Sequence, residues 1–503
     1  MYLALSASKD TYITNKIVGS SFRATDANLG QAGTLDIFKL YDENTIAGEV
    51  NPIELSRILI KFDYSTLTNL MSSKLDINSN TFKCNLVLSD VYGGQPTPTN
   101  FKLIVFPLSR SFDEGVGRDV AGFRDIDVCN FLTASVSNGT VEKWYVTGAN
   151  RQGLLGSSDI DIISSGNLND GNGIVNLWRE QLFTTGEEDL NVDITKIVSG
   201  TLAGIIPDYG FRISFSGSME TDEFTRFVKR FTSRNATNVG KRPKIVVTYN
   251  DLIRDNHENF FFNEQGNLFL SNNVRGIPRN ILSGSALTEV KGENCMILKL
   301  TTGSYTKQVN VSQYKYGTNY VTGVYYTSLI LNSYENNTIY KHLIGTGSVD
   351  FTEIWRSNDG TVGFLTGTLT AHRPDTMQLD VDLERLTVSM TNMRAAYEQN
   401  EQYRFRLFIE DISRQFIAKK LPLENKGIFV EEIYYQVRDT DLNEILIPFH
   451  NPGTAVSNDT VSHYFDFNMI SLPRGRTYTF DFKIIRQGSE IIFKDVAAKF
   501  RVN

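Results

Sequence analysis

Tyr478–Ile485 reads YTFDFKII. Aromatic and β-branched residues stand at every second position, which suits a strand with one face on a core. Lys83–Ser89 (KCNLVLS), Phe211–Ser216 (FRISFS) and Lys244–Tyr249 (KIVVTY) repeat the pattern. Turn-forming groups separate these runs: SSG, NDGNG, NNT, NDG, NPG and PRG. Only Asp193–Val198 (DITKIV) and Met390–Gln402 (MTNMRAAYEQNEQ) suggest a helical period. Runs of short alternating strands without helices between them predict an all-β chain of antiparallel sandwiches.

Composition agrees. The 503 residues include 32 Phe and 22 Tyr but only 5 His, 3 Cys and 3 Trp. At about 150 residues per domain, this length suggests roughly three domains. Cys84, Cys129 and Cys295 are far apart in sequence and read as reduced thiols. The net charge of −7 disfavours nucleic acid as a general partner, because phosphate binding needs a positive field. No apolar run approaches the roughly 18 residues of a membrane span, and the start MYLALSASKDTYI lacks a basic leader. Changes of texture place boundaries near residues 250 and 373. The expected parts are a large sandwich over 1–250 and two smaller ones over 251–373 and 374–503.

Several segments of the first part occur in a telling order. Lys9–Ile13 (KDTYI) is followed by Ala27–Phe38 (ANLGQAGTLDIF) and Ser56–Leu67 (SRILIKFDYSTL). Phe106–Gly117 (FPLSRSFDEGVG) and Glu142–Ala149 (EKWYVTGA) come next. Trp178–Gly200 (WREQLFTTGEEDLNVDITKIVSG), Asp208–Gly217 (DYGFRISFSG) and Lys241–Tyr249 (KRPKIVVTY) close the series. In this order the segments resemble the DNRLRE-type module over about residues 8–249, roughly half the chain. The resemblance implies a jelly-roll sandwich related to carbohydrate-binding modules. Such modules occur in secreted polysaccharide-acting and cell-surface proteins and in tailed-phage virions. The long acidic segment Phe101–Ala149 departs from the compact family pattern. The C-terminal hairpin region is similar in texture to Ig-like domains of phage structural proteins.

The motifs also have a direct physical reading. Ile60 and Phe62 are expected on the core face, with Lys61 and Asp63 outward. Gly30 in Asn28-Leu29-Gly30 is expected to take a positive-φ turn. Asp193 is expected to cap the short turn after its strand by accepting backbone N–H bonds.

The candidate sites each have a plain alternative. Asp113 and Glu114, with Asp119, and the Glu187-Glu188-Asp189 run could supply the two carboxylates of a glycosidase. Their Gly-flanked loops are expected to leave them solvated, so they read as turn or contact residues. Asn167–Gly173 (NLNDGNG) gathers oxygen donors, but its spacing is not that of an EF-hand. A hairpin turn is the expectation there, and no cofactor is expected. The histidines never occur at i, i+2 or i+4, so sequence spacing marks no zinc site. Arg226, Lys229, Arg230, Arg234, Lys241 and Arg242 alternate with Phe227 and Phe231. Alternation would put those rings inward and the cations outward, as a patch for an acidic neighbouring subunit. Trp144 and Trp178 are candidates for stacking on sugar rings, but core packing is the expected role for both, since Trp buries a large area. Tyr325 and Tyr326 are neighbours on one strand and must face opposite ways.

The sequence therefore leads to a non-enzymatic structural component of a tailed-phage virion, in the tail, neck or baseplate. Its partners would be other virion proteins and copies of itself, and it would be made in the host cytoplasm without a signal peptide. The alternative is a carbohydrate-binding protein that recognises host surface glycan.

Overall fold

The computed structural model describes all residues except 95, 123–126, 276, 375–385, 413–426, 487 and 497–498. Strands account for 47% and helices for 7%, which makes the chain all-β. It divides into two compact units. One comprises Leu3–Thr68 and Asn80–Thr248; the other comprises Met1–Tyr2, Asn69–Ser79 and Tyr249–Asn503. The expected parts 251–373 and 374–503 thus fall in one unit, and the boundary between them abuts the undescribed residues 375–385.

The first unit is built on a ten-stranded sheet. Its centre is Ile53–Phe62, flanked by Tyr2–Thr14 on one side and Phe211–Phe215 on the other. Asp10 lies opposite Ile60 and Ile13 opposite Arg57, so the DTYI and SRILIKF motifs are one antiparallel pair. Ile60 and Phe62 are buried, Lys61 is half-buried and Asp63 is exposed, as alternation requires. Ile58 and Leu59 are also fully buried, because this central strand is covered on both faces. Leu59 packs with Ile13, Phe106, Phe112, Phe131 and Trp144.

The second unit carries a seven-stranded, barrel-like sheet between Phe260 and His372. Its core includes Leu268, Met296, Leu298, Phe351, Trp355 and Leu369. The helix Asn337–Thr346 is capped by Asn336, whose side chain accepts from Thr338 N–H. Between Leu386 and Val502, a four-stranded and a six-stranded sheet face each other across a layer of rings. Tyr435 stacks on Phe465 at 4.4 Å, and Phe480 lies 5.0 Å from Phe405 and 5.1 Å from Phe500. Such aromatic pairs add to simple area burial.

Of three local expectations, two change. Residues 390–402 are not helical: strands Leu386–Met390, Ala396–Tyr397 and Gln402–Asp411 occupy the region. Tyr397 is drawn into the ring layer against Tyr403, Phe405 and Phe500, and this packing outweighs weak helix propensity. The short helix runs Thr195–Leu202 and begins after Asp193, which ends a strand. The Asp193 carboxylate accepts from Thr195 N–H at 2.8 Å, while Ile194 holds the N-cap position. Gly30 does not have a positive φ. A Cβ there would lie 2.0 Å from the Glu114 carbonyl oxygen, so its need is close approach.

Candidate functional site

Three buried polar constellations in the first unit gather most of the residues that the sequence singled out. The first is centred on Asn28. Its side-chain N–H groups donate to the carbonyls of Glu114 (2.9 Å) and Cys129 (2.8 Å). Its oxygen accepts from Gly117 N–H (2.8 Å) and Gly30 N–H (3.2 Å). One fully buried amide thus fastens the FDEGVG loop to the ANLG turn. A Cβ on Gly117 would sit 1.8 Å from the Asn28 carbonyl, so this contact needs glycine.

The loop's carboxylates turn inward. Asp113 accepts from Val136 N–H at 2.9 Å. Glu114 accepts from Asp10 N–H at 2.8 Å and forms a two-pronged pair with Arg234. The expectation that Asp113 and Glu114 are solvated is corrected: both are half-buried and engaged by backbone N–H groups. Asp119, by contrast, is exposed. Sequence reading missed Asp10. Its side chain accepts from Arg234 N–H at 2.6 Å, and its other oxygen has no hydrogen-bond partner among the described residues. Burial, with the adjacent Glu114 charge, pushes its carboxyl up to about 7. Its one signal in the sequence was an Asp within the strand segment KDTYI.

The second constellation clamps Trp144–Arg151. Arg57 donates to the Gly148 carbonyl at 2.6 Å and pairs with Glu220. Arg212 donates to the Ala149 carbonyl and to Asn150 Oδ1. Asp161 accepts from the N–H groups of Tyr145, Val146 and Arg151. Burial, then the Arg57 charge, brings Arg212 down to about 9. Burial pushes Glu220 upward, but Arg57 outweighs it and the carboxyl lies below its ordinary value. Trp144 is only 5% exposed and donates its indole N–H to the Asn130 carbonyl at 3.0 Å. Of its two readings, core packing is the one the structure shows: its ring is core. Trp178 is half-buried against the same cluster.

The third constellation contains the basic segment. A bulge between Arg226 and Lys229 shifts the register against Thr34–Tyr41 and turns Phe227 outward, while Lys229, two residues before Phe231, shares the buried face with it. Lys229 is fully buried between the Phe183 and Phe231 rings, bonded to Asp90 and to the carbonyls of Gly186 and Glu188. Phe227 is half exposed, opposite to expectation, while Phe231 is buried. Arg226 makes a two-pronged pair with Asp222, Arg230 pairs with Asp36, and Arg234 pairs with Glu114. Arg242 donates to the Ala236 carbonyl, and Lys241 is exposed. Most of these cations hold this unit's own strands and loops together.

Glu188 closes the TTGEED turn by accepting from the N–H groups of Thr184, Thr185 and Gly186. Asn167 and Ile174 pair across a hairpin, with Asn169, Gly171 and Gly173 in positive-φ conformations between them. Among the described residues, no group of three or more His, Cys, Asp or Glu side chains is placed to hold a metal ion. Also among the described residues, no helix is long and apolar enough to cross a membrane.

In the second unit, a histidine joins two carboxylates. His257 Nδ1 lies 2.6 Å from Asp255 and Nε2 lies 3.2 Å from Glu353. Burial alone would lower its basicity, but the two carboxylates raise it to about 10. Gly367 lies opposite Glu353 in the ladder, and a Cβ there would meet the carboxylate at 2.5 Å. Sequence spacing could not reveal this cluster, because Glu353 arrives from a distant strand. Tyr325 is buried and donates to the Val290 carbonyl, while Tyr326 is half-buried against Phe269, so the two do face opposite ways.

No family model matches the chain, and no curated protein matches it. Solved structures give distant likenesses. The FN1–FN3 domains of chicken CNTN1 are 9% identical, with a TM-score of 0.14, over 57% of this chain and 87% of that one. Trypsin-activated alpha-2-macroglobulin from Escherichia coli is 9% identical, with a TM-score of 0.15, over 92% of this chain and 24% of that one. A biofilm-associated protein BSP domain is 9% identical, with a TM-score of 0.15, over 100% of this chain and 90% of that one. Likeness at these TM-scores carries no functional argument.

Proposed function

We propose that the protein is a structural component that works by protein–protein assembly, of the kind built into the tail, neck or baseplate of tailed-phage virions. The observation that carries this reading is an apolar surface on two successive hairpins. Asn273–Val274 pairs with Ile277–Pro278, and Leu282–Ser283 pairs with Thr288–Glu289. Val274, Ile277, Leu282 and Leu287 are each at least half exposed. The hairpins are anchored beneath: Asn272 donates to the Arg279 carbonyl at 2.7 Å, and Ile281 N–H donates to the Tyr325 hydroxyl at 2.8 Å. Anchored hairpins with apolar side chains outward present a ready contact surface, since each Å² of apolar area buried contributes about 25 cal/mol. A stable contact would bury roughly 1,000 Å² in all. The resemblance of residues 8–249 to a module found in virions supports the same reading.

Mass spectrometry of purified particles tests the virion assignment, and absence of the chain from them defeats it. Light scattering and pull-down with neighbouring particle proteins test the surface. Ile277→Asp with Leu287→Asp should abolish association while leaving the melting temperature unchanged.

A further inference from the structure

The strands Tyr305–Tyr316 and Asn319–Ile330 form a hairpin that opens like a fork. Near the turn they pair, Ser312 with Tyr326 and Tyr316 with Asn319. Farther out they separate. Residues 305–311 pair with Met296–Thr302, and residues 324–330 pair with Gln265–Ser271. Side chains replace the missing ladder. Thr327 Oγ1 donates to the Asn310 carbonyl at 2.9 Å, and Lys307 Nζ donates to the Ile330 carbonyl at 2.8 Å. These struts satisfy inward-pointing carbonyls while holding the arms apart.

The cleft between the arms has a volume of about 480 Å³. That lies within the roughly 300–1,000 Å³ typical of small-molecule sites. Gln308, Asn310, Ser312, Thr327 and Ser328 supply two amides and three hydroxyls, and Tyr326 supplies a ring. The lining residues include no charged side chain. Several of these groups are fixed from behind. Gln308 Oε1 accepts from Arg356 at 3.0 Å, Ser312 Oγ from Asn294 N–H at 2.9 Å, and Ser328 Oγ from Gln265 at 2.6 Å. The Tyr326 ring lies 5.0 Å from Phe269 and 5.8 Å from Tyr314, and its hydroxyl donates to Asn267 Oδ1 at 3.3 Å. Groups held in place before a ligand arrives lose little freedom on binding.

We propose that this cleft binds a neutral carbohydrate. A sugar presents hydroxyls that both donate and accept, which matches amides and hydroxyls set side by side. Its C–H face suits an aromatic ring. An anionic glycan would bring a charge against a lining without cations, at a cost in desolvation, because the adjoining Lys307 is paired with Glu335 and Arg356 donates to Gln308. The site is independent of the assembly surface, and it lies outside the segment that carries Trp144 and Trp178.

An array of neutral oligosaccharides printed beside their sulfated and uronic-acid counterparts tests this, followed by calorimetry on the best binder. Saturable binding to neutral glycans is expected. Asn310→Ala and Gln308→Ala should each weaken it roughly tenfold. Both positions are exposed, so thermal melts should match the unaltered protein, and Lys241→Ala should bind normally. Folded protein that binds no neutral glycan, prefers the anionic counterparts, or binds equally well as the Asn310→Ala, Gln308→Ala double variant would overturn the proposal.

Discussion

Arg57 and Glu220 stand 163 residues apart and share two hydrogen bonds, Nε to Oε1 at 2.9 Å and Nη2 to Oε2 at 2.8 Å. Their side chains are 4% and 11% exposed. Arg212 also acts on Glu220 electrostatically, so one carboxylate balances two buried cations. Glu220→Gln should therefore destabilise the protein by about 3–5 kcal/mol, the usual effect of breaking a buried pair from one side. Denaturant unfolding measures it. Arg57→Met with Glu220→Leu should cost less than the sum of the single changes, because neither charge is then stranded.

Asp10 predicts a pH dependence of unusual sign. Its folded carboxyl is raised to about 7 by burial first and by Glu114 second. The native state therefore binds a proton between the ordinary carboxylate range and pH 7 that the unfolded chain has released. Stability from this group falls as pH rises through that window. Asp10→Asn should raise the melting temperature at pH 8 and flatten the profile between pH 4 and 7. An unchanged profile would remove Asp10 from the account.

His257 acts in a higher window. Burial opposes its charge, yet the Asp255 and Glu353 hydrogen bonds lift it to about 10. Its contribution is complete below about pH 6.5 and is lost as pH rises toward 10. His257→Gln should flatten the melting curve over that range. It should also lower stability at pH 7 by about 3–5 kcal/mol, because two buried carboxylates lose their cation. Calorimetry across pH reads both effects.

Gly117 and Gly30 are needed for contact. Added methyl groups would overlap the Asn28 and Glu114 carbonyl oxygens, at 1.8 and 2.0 Å. Backbone oxygens cannot rotate aside as a flexible side chain can. Gly117→Ala should cost about 1–3 kcal/mol, the usual range for overpacking. Hydrogen exchange should show loosened protection at Gly117 and Gly30, whose N–H groups Asn28 accepts.

Lys229 and Lys241 come from the same basic segment and should behave differently. Lys229→Met strands Asp90 and leaves two carbonyls without their donor, at about 3–5 kcal/mol. Lys241→Ala, on an exposed side chain, should stay within about 0.5 kcal/mol. Paired thermal melts distinguish them.

Much of the strand content was legible because alternation is a local property. Ile60 and Phe62 turn to the core as their spacing requires, and Tyr325 and Tyr326 part to opposite faces. YTFDFKII shows where local reading stops. Phe480 and Phe482 enter the ring layer, but Asp481, expected toward water, is only 1% exposed. Arg438 and Gln436 from the neighbouring strand bond to it, and the chain at Asp495 donates an N–H to it. Phe227 departs because a bulge moves a strand by one residue and exchanges its faces, while Lys229 stays on the buried face of Phe231, where Asp90 and two carbonyls take up its charge.

The sequence by itself determined an all-β chain, because alternating apolar residues can bury one face only in strands. It also marked Asn28, Glu114, Trp144 and the basic run as notable. Tertiary structure alone decided what those residues do. Asn28 finds three of its four partners, Glu114 its arginine and His257 its second carboxylate in segments far along the chain. Such contacts exist only once strands are paired and their register is set, which no local pattern of residues specifies.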